Sequence, residues 1–238
     1  MARWKVVHQF SEGIFVQNPT IGYPSIGVSL YYDGNKLMRV EHELEVDDEL
    51  EPYRVVDTSR DALDLFWELL RYRRGISLPS TQRTASKIKP VDNSQPIGVG
   101  FADVTTRVAI CLPVVMPDPS LFSHANSRLL VWLRLWNDAS DSDSATDAIR
   151  NYYMILEDMY SDRKDNMPTE VENLKLVRHL VSHGNKPHRE TREFVEKHLG
   201  KSIEKFDPTD KAQQQFIRSW RTSARNLVEM EINKRLGQ

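Results

Sequence analysis

The sequence predicts an α+β protein: a β-rich α+β domain over residues 1–119, then an all-helical bundle over residues 120–238. Three observations carry this. Before Pro117 the apolar residues fall in short alternating runs bounded by Gly, Pro and Asp, the period of half-buried strands. After Ser120 they recur at i, i+3 and i+4, the period of amphipathic helices. Between them stands Pro117-Asp118-Pro119, which sustains neither pattern. A chain of 238 residues suits two domains of ordinary size.

In the first domain, Lys5 to Val16 reads as two short strands around a Ser11-Glu12-Gly13 break, and Asn18 to Ser25, with Pro19, Gly22 and Pro24, as a loop. Ile26 to Tyr32 and Lys36 to Val46 flank Asp33-Gly34-Asn35, a strong hairpin signal. In the second run Met38, Val40, His42, Leu44 and Val46 share the parity of a buried face, while Leu37, Arg39, Glu41, Glu43 and Glu45 share the wet one. Asp47 to Glu51 is an acidic loop. Thr58 to Asp61 resembles a capping box opening a helix whose apolar set is Ala62, Leu63, Leu65, Phe66, Leu69 and Leu70. Arg71 to Arg74 complement its C-terminal dipole, and Gly75 stops it. Pro79 to Gln95 is polar and reads as a loop. Ile97 to Phe101 and Val104 to Met116 read as strands, giving about six strands and one helix. His8 and His42 stand isolated and read as ordinary strand histidines, and Cys111 as a small core residue. The domain carries no Gly-rich phosphate loop, GxSxG or HExxH.

The second half reads as helices near 123–138, 144–161, 169–184, 188–199 and 210–236. Ser142 or Ser144 is the expected N-cap of the second, and Asp210 begins the last, which is long enough to reach a partner. Trp132 and Trp136 sit at core spacing.

Hydrophobic residues at 39% with 28% charged exclude wholesale disorder. Net charge is only −2, yet residues 175–238 hold 14 Lys and Arg against 8 Asp and Glu. That local excess is either a face for an anionic partner or a solvated helical surface. One cysteine excludes an intramolecular disulfide and a Cys-based zinc site. No run approaches the roughly 20 apolar residues of a membrane span, and the N-terminus has no apolar leader. A cytoplasmic protein that does not enter membranes is expected.

Chemistry concentrates in Thr169 to Gly184, a helix whose end gathers Arg178, His179, Ser182 and His183 before a Gly184 stop. Neutral-pH cleavage of RNA by its own 2′-hydroxyl needs a proton-transfer group near neutrality, which His supplies. It also needs a cation for the phosphorane, which a planar guanidinium supplies. A helix C-terminus favours both. The i, i+4 spacing of His179 and His183 also suits a metal pair, with His188 as the nearby third ligand.

An all-α bundle with Arg-x4-His at the end of its third helix, then Gly, resembles the HEPN superfamily (higher eukaryotes and prokaryotes nucleotide-binding). Tyr152-Tyr153-Met154-Ile155-Leu156-Glu157 is similar to the aromatic-then-Glu segment of those proteins. The order of a β-rich domain and a bundle resembles the ApeA-like branch. The resemblance covers residues 120–238 and implies a metal-independent endoribonuclease, homodimeric through the bundle, with RNA as substrate and no cofactor, in a defence or stress system. It places Arg178 on the scissile phosphate, His183 as general acid or base, and Glu157 orienting Arg178. His179 takes the position where the family often has Asn or a small polar residue. The N-terminal domain would then sense a protein or small-molecule trigger or position RNA. The other reading is a non-catalytic interaction protein that dimerises through the bundle and binds a ligand or protein with its first domain.

Overall fold

In a computed structural model of the chain, one long N-terminal strand carries a six-stranded antiparallel sheet. The structure describes residues 1–74, 78–79, 81–88, 99–102, 114–122, 127–161, 167–182, 187–201 and 203–236. It divides into two units, Met1–Leu130 and Val131–Gln238. The sheet lies in the first and most of the helical chain in the second, an α+β layout.

Strands β1 (Ala2–Phe15), β2 (Gly22–Tyr23), β3 (Val28–Asp33), β4 (Lys36–Val46), β5 (Thr81–Lys87) and β6 (Val99–Ala102) pair in the order β2-β3-β4-β1-β5-β6. Along β1 the side chains of Trp4, Val6, His8 and Phe10 alternate inward and are buried. Two helices cover that face: α1 (Pro52–Ala62) and α2 (Asp64–Arg74). Val55 and Val56 of α1 pack with Trp4, Val6, Val46 and Ala85. Leu63, Phe66 and Leu70 pack with Phe10, Ile14, Leu30 and Val40. Each such fully buried side chain contributes roughly 1.5–3 kcal/mol.

The structure departs from the sequence reading in several places, beginning with two helices where one was expected. Lys5 to Val16 is not two strands: β1 runs through Ser11-Glu12-Gly13, with a register shift between Gln9 and Ile14. A separate irregularity in the β3–β4 pairing skips Met38 and reverses the parity only at the start of β4: Leu37 is fully buried and Met38 half-buried, while Val40, His42 and Val46 stay buried as the alternation predicts. Thr58 to Asp61 does not open a helix. Pro52 already sits at the first helical position of α1, and the Thr58 hydroxyl donates to the Arg54 carbonyl one turn back at 2.8 Å. Residues 81–87 form a strand instead of a loop. Their polar composition masks it, but the backbone of β1 pairs with them from Trp4 to Phe10. Asp33-Gly34-Asn35 does turn the β3–β4 hairpin, with Gly34 at φ 56°. Gly75, Cys111 and most of the expected strand Val104 to Met116 lie outside the described residues. Val114, at its end, makes a parallel bridge to Val16.

The boundary between the units falls within α3 (Ser127–Asp141). It is followed by α4 (Ala145–Met159), α5 (Thr169–Ser182), α6 (Arg189–Leu199) and α7 (Lys211–Arg235). Ser144 caps α4 by accepting from Asp147 N, and Asp210 caps α7 by accepting from Ala212 N and Gln213 N. Gly200 ends α6 in the left-handed conformation at φ 67°. Trp132 and Trp136 are buried; Trp132 Nε1 donates to Asp158 at 2.7 Å, which ties α3 to α4. Among the described residues no helix is long and apolar enough to cross a membrane.

His8 and His42 are not isolated. Both are buried, at 2% and 5% exposure, and both meet the fully buried Ser59 hydroxyl of α1, from His8 Nε2 at 3.3 Å and from His42 Nδ1 at 2.8 Å. Burial, with Arg83 and His42 adding to it, pushes His8 down to about 3; burial also lowers His42. The unfolded chain therefore binds more protons than the folded one below pH 6.5, and stability falls as pH falls. Denaturant unfolding is expected to show a loss of up to about 2 kcal/mol from His8 between pH 6.5 and about pH 5, where carboxylates stay ionised. His8→Asn should flatten that slope. An unchanged slope would contradict the assignment.

Candidate functional site at the end of helix α5

The last carbonyls of an α-helix have no partner within the helix and must find one elsewhere. In α5 that partner comes from the neighbouring helix. Arg150 of α4 donates from Nη2 to the Val181 carbonyl at 2.6 Å and from Nε to Ser182 Oγ at 3.3 Å. Its Nη1 donates to Asp147, also on α4, at 2.8 Å. Arg150 thus carries its charge to the negative end of the α5 dipole and is itself steered by an acid one turn away. Sequence reasoning did not single it out. The only trace of it in the sequence is its place three residues before Tyr153 and seven before Glu157, on one face of α4.

Arg178 lies one turn before that end. It is half-buried, with its guanidinium carbon 5.6 Å from the centre of the Tyr153 ring. Tyr153 is 2% exposed and belongs to the core side of α4. Burial pushes its phenol up to about 12, the negative Glu157 pushes the same way, and the positive Arg178 opposes them. The ring therefore remains a neutral face at any physiological pH, a suitable platform for a guanidinium. Glu157 is exposed on the next turn of α4. No ion pair joins Glu157 to Arg178 among the described residues, and Tyr153 is the group that touches the field of both.

His179 is half-buried, and its ring centre is 6.2 Å from that of His188, edge to face. His183 and Gly184 lie outside the described residues. Of the four predicted site residues, Arg178 and Glu157 are thus gathered around Tyr153, and His179 faces His188. Among the described residues no cluster of three or more His, Cys, Asp or Glu could hold a metal ion.

This arrangement presents two cations, Arg150 and Arg178, on adjacent helices at the end of α5. One is committed to a backbone carbonyl, a hydroxyl and Asp147; the other rests on an aromatic face. Comparison with family models, curated proteins and solved structures finds no match to the chain.

Arg150→Ala is expected to fray the last turn of α5. Amide exchange at residues 179–182 should accelerate while α1 stays protected, with about 1–2 kcal/mol lost overall. Unchanged exchange there would show that Arg150 does not hold the helix end.

Proposed function

We propose that the helical unit is an endoribonuclease of HEPN type, acting as a homodimer on RNA without a metal. The observation that carries this reading is the support given to Arg178. The arginine of the Arg-x4-His pattern rests on the buried Tyr153 ring, on the aromatic-then-Glu segment that the same resemblance singles out. A guanidinium held this way is prepaid in entropy for a phosphate, because its planar fork is already oriented.

In the proposed reaction the 2′-hydroxyl oxygen bonds to the adjacent phosphorus as the P–O5′ bond breaks. His183 removes the 2′ proton while water protonates the departing 5′ oxygen, or protonates that oxygen while water takes the 2′ proton, and Arg178 stabilises the charge on the phosphorane. Glu157 acts on Arg178 through Tyr153, and His179 fills the remaining polar position beside the motif. The first unit senses the trigger that releases activity, and the setting is a cytoplasmic defence or stress response.

A second reading has its own observation. Arg150 capping α5 and Arg178 stacking on Tyr153 are also what a purely structural helix pair needs. The helical unit would then be a dimerisation module.

The two readings separate in one assay. Under the ribonuclease reading, the full chain in excess EDTA cleaves a mixed-sequence RNA, and Arg178→Ala and His183→Ala each lower the rate by about a hundredfold or more. Tyr153→Phe keeps the ring under Arg178 but loses the hydroxyl that meets Glu157 and should lower the rate in part, whereas Tyr153→Leu should abolish it. Folded protein that cleaves nothing, or cleaves equally well without His183, supports the structural reading.

A further inference from the structure

A second place in the molecule gathers polar groups without using them. Between the α1–α2 junction and strands β1 and β5, wholly within the first unit, lies a cavity of about 200 Å³. His8 and Phe10 line it from β1, Thr81 from β5, and Arg60 and Trp67 from the helices. One wall is aromatic: Trp67 packs on both His8 and Phe10, its ring centre 5.0 Å from that of His8 and 6.3 Å from that of Phe10.

Four hydrogen-bonding groups on these walls are not consumed by the fold. His8 commits only Nε2, to Ser59, so Nδ1 is the ring nitrogen left for the cavity. The hydroxyl of Thr81, the indole N–H of Trp67 and the guanidinium of Arg60 make no hydrogen bond among the described residues. Such capacity converging on one concave, half-apolar site is the pattern of a small-ligand pocket.

Charge and size then select the ligand. The acids Asp64 and Glu68 and the cation Arg83 also line the cavity, but each already interacts within the fold; Glu68 lies 3.7 Å from Arg71. Two arginines against two acids leave no net field to attract a phosphate. The neutral imidazole of His8 adds none. The volume falls short of the roughly 300 Å³ at which drug-sized sites begin, so it admits one ring system and little more.

Ser59 gives the pocket a second property. Its single hydroxyl proton can be donated to one histidine only, so the tautomers of His8 and His42 are linked. A ligand that donates to His8 Nδ1 favours the His8 tautomer protonated at Nε2, with Ser59 then donating to His42 Nδ1. A ligand that accepts there favours the reverse.

We infer that this cavity is a binding site for an uncharged, nucleobase-sized heteroaromatic molecule, held against this aromatic wall and hydrogen-bonded to His8, Thr81 and Arg60. The site stands independently of whether the helical unit cleaves RNA.

The test is calorimetric titration of the full chain with adenine, cytosine, uracil and hypoxanthine, alongside adenosine monophosphate and free glutamine. At least one base should bind saturably at one site per chain. Arg60→Ala and Thr81→Val, both outside the core, should each weaken it by roughly three- to tenfold with unchanged thermal unfolding. The imidazole nitrogens of His8 and His42 should both shift on binding in a nitrogen-15 spectrum. No binding by any base, binding unaffected by both substitutions, or tighter binding of the monophosphate or of glutamine than of every base would overturn the inference.

Discussion

The carbonyl end of α5 is the constraint on which the helical unit turns. Left alone, it would present unsatisfied acceptors and a negative dipole end to its surroundings. Arg150 meets both needs at once, because its fork reaches a backbone carbonyl and a hydroxyl on α5 while Asp147 holds it from behind. The α4–α5 pairing is therefore fixed at the tip, on helices whose Ile149, Tyr153, Leu174 and Val177 are buried. Arg178 inherits its place from that pairing: moving α4 relative to α5 removes the aromatic face it stands on. Whatever the end of α5 does, it does from a position set by two arginines with different tasks.

The first unit solves a comparable problem by different means. A buried serine on α1 would be a liability without partners, and two buried histidines would be more so. Placed together, each satisfies part of the others' demand, and the sheet and helix can close over them without an exposed polar seam. The arrangement also ties α1 to both central strands, since His8 belongs to β1 and His42 to β4. Its dependence on neutral imidazoles makes the unit sensitive to acid, and its opening toward a cavity gives the same cluster an outlet to ligand.

What the sequence revealed follows the range over which each signal acts. The helices α4, α6 and α7 were legible because their caps are local: Ser144, Asp210 and Gly200 act within a few residues of themselves. The β3–β4 hairpin was legible for the same reason. Strand β5 was not, because Thr81 to Lys87 has no apolar alternation and takes its conformation from β1, some seventy or more residues away. The start of α1 was hidden because Thr58 and Asp61 imitate a cap, while Pro52 states the true start less conspicuously. Arg150 was missed because its partners are 31 and 32 residues distant, and the two histidines because Ser59, which joins them, lies 51 residues from one and 17 from the other. Arg178 and Glu157 were named from the sequence, but the group between them, Tyr153, emerged as their common support only in three dimensions.

In the proposed reaction the end of α5 performs transesterification at a phosphate by groups of the chain and water, without a metal. The chemistry leaves a signature on its product. Attack by the 2′-hydroxyl retains the phosphorus on the upstream fragment as a 2′,3′-cyclic phosphate and releases a 5′-hydroxyl, whereas metal-activated water leaves other ends. The most direct measurement is end-group analysis, by mass spectrometry, of the fragments made by the purified full chain from a defined RNA in EDTA. Termini bearing 2′,3′-cyclic phosphate and 5′-hydroxyl are expected. Fragments bearing 5′-phosphate and 3′-hydroxyl ends, or an RNA left intact, would contradict it.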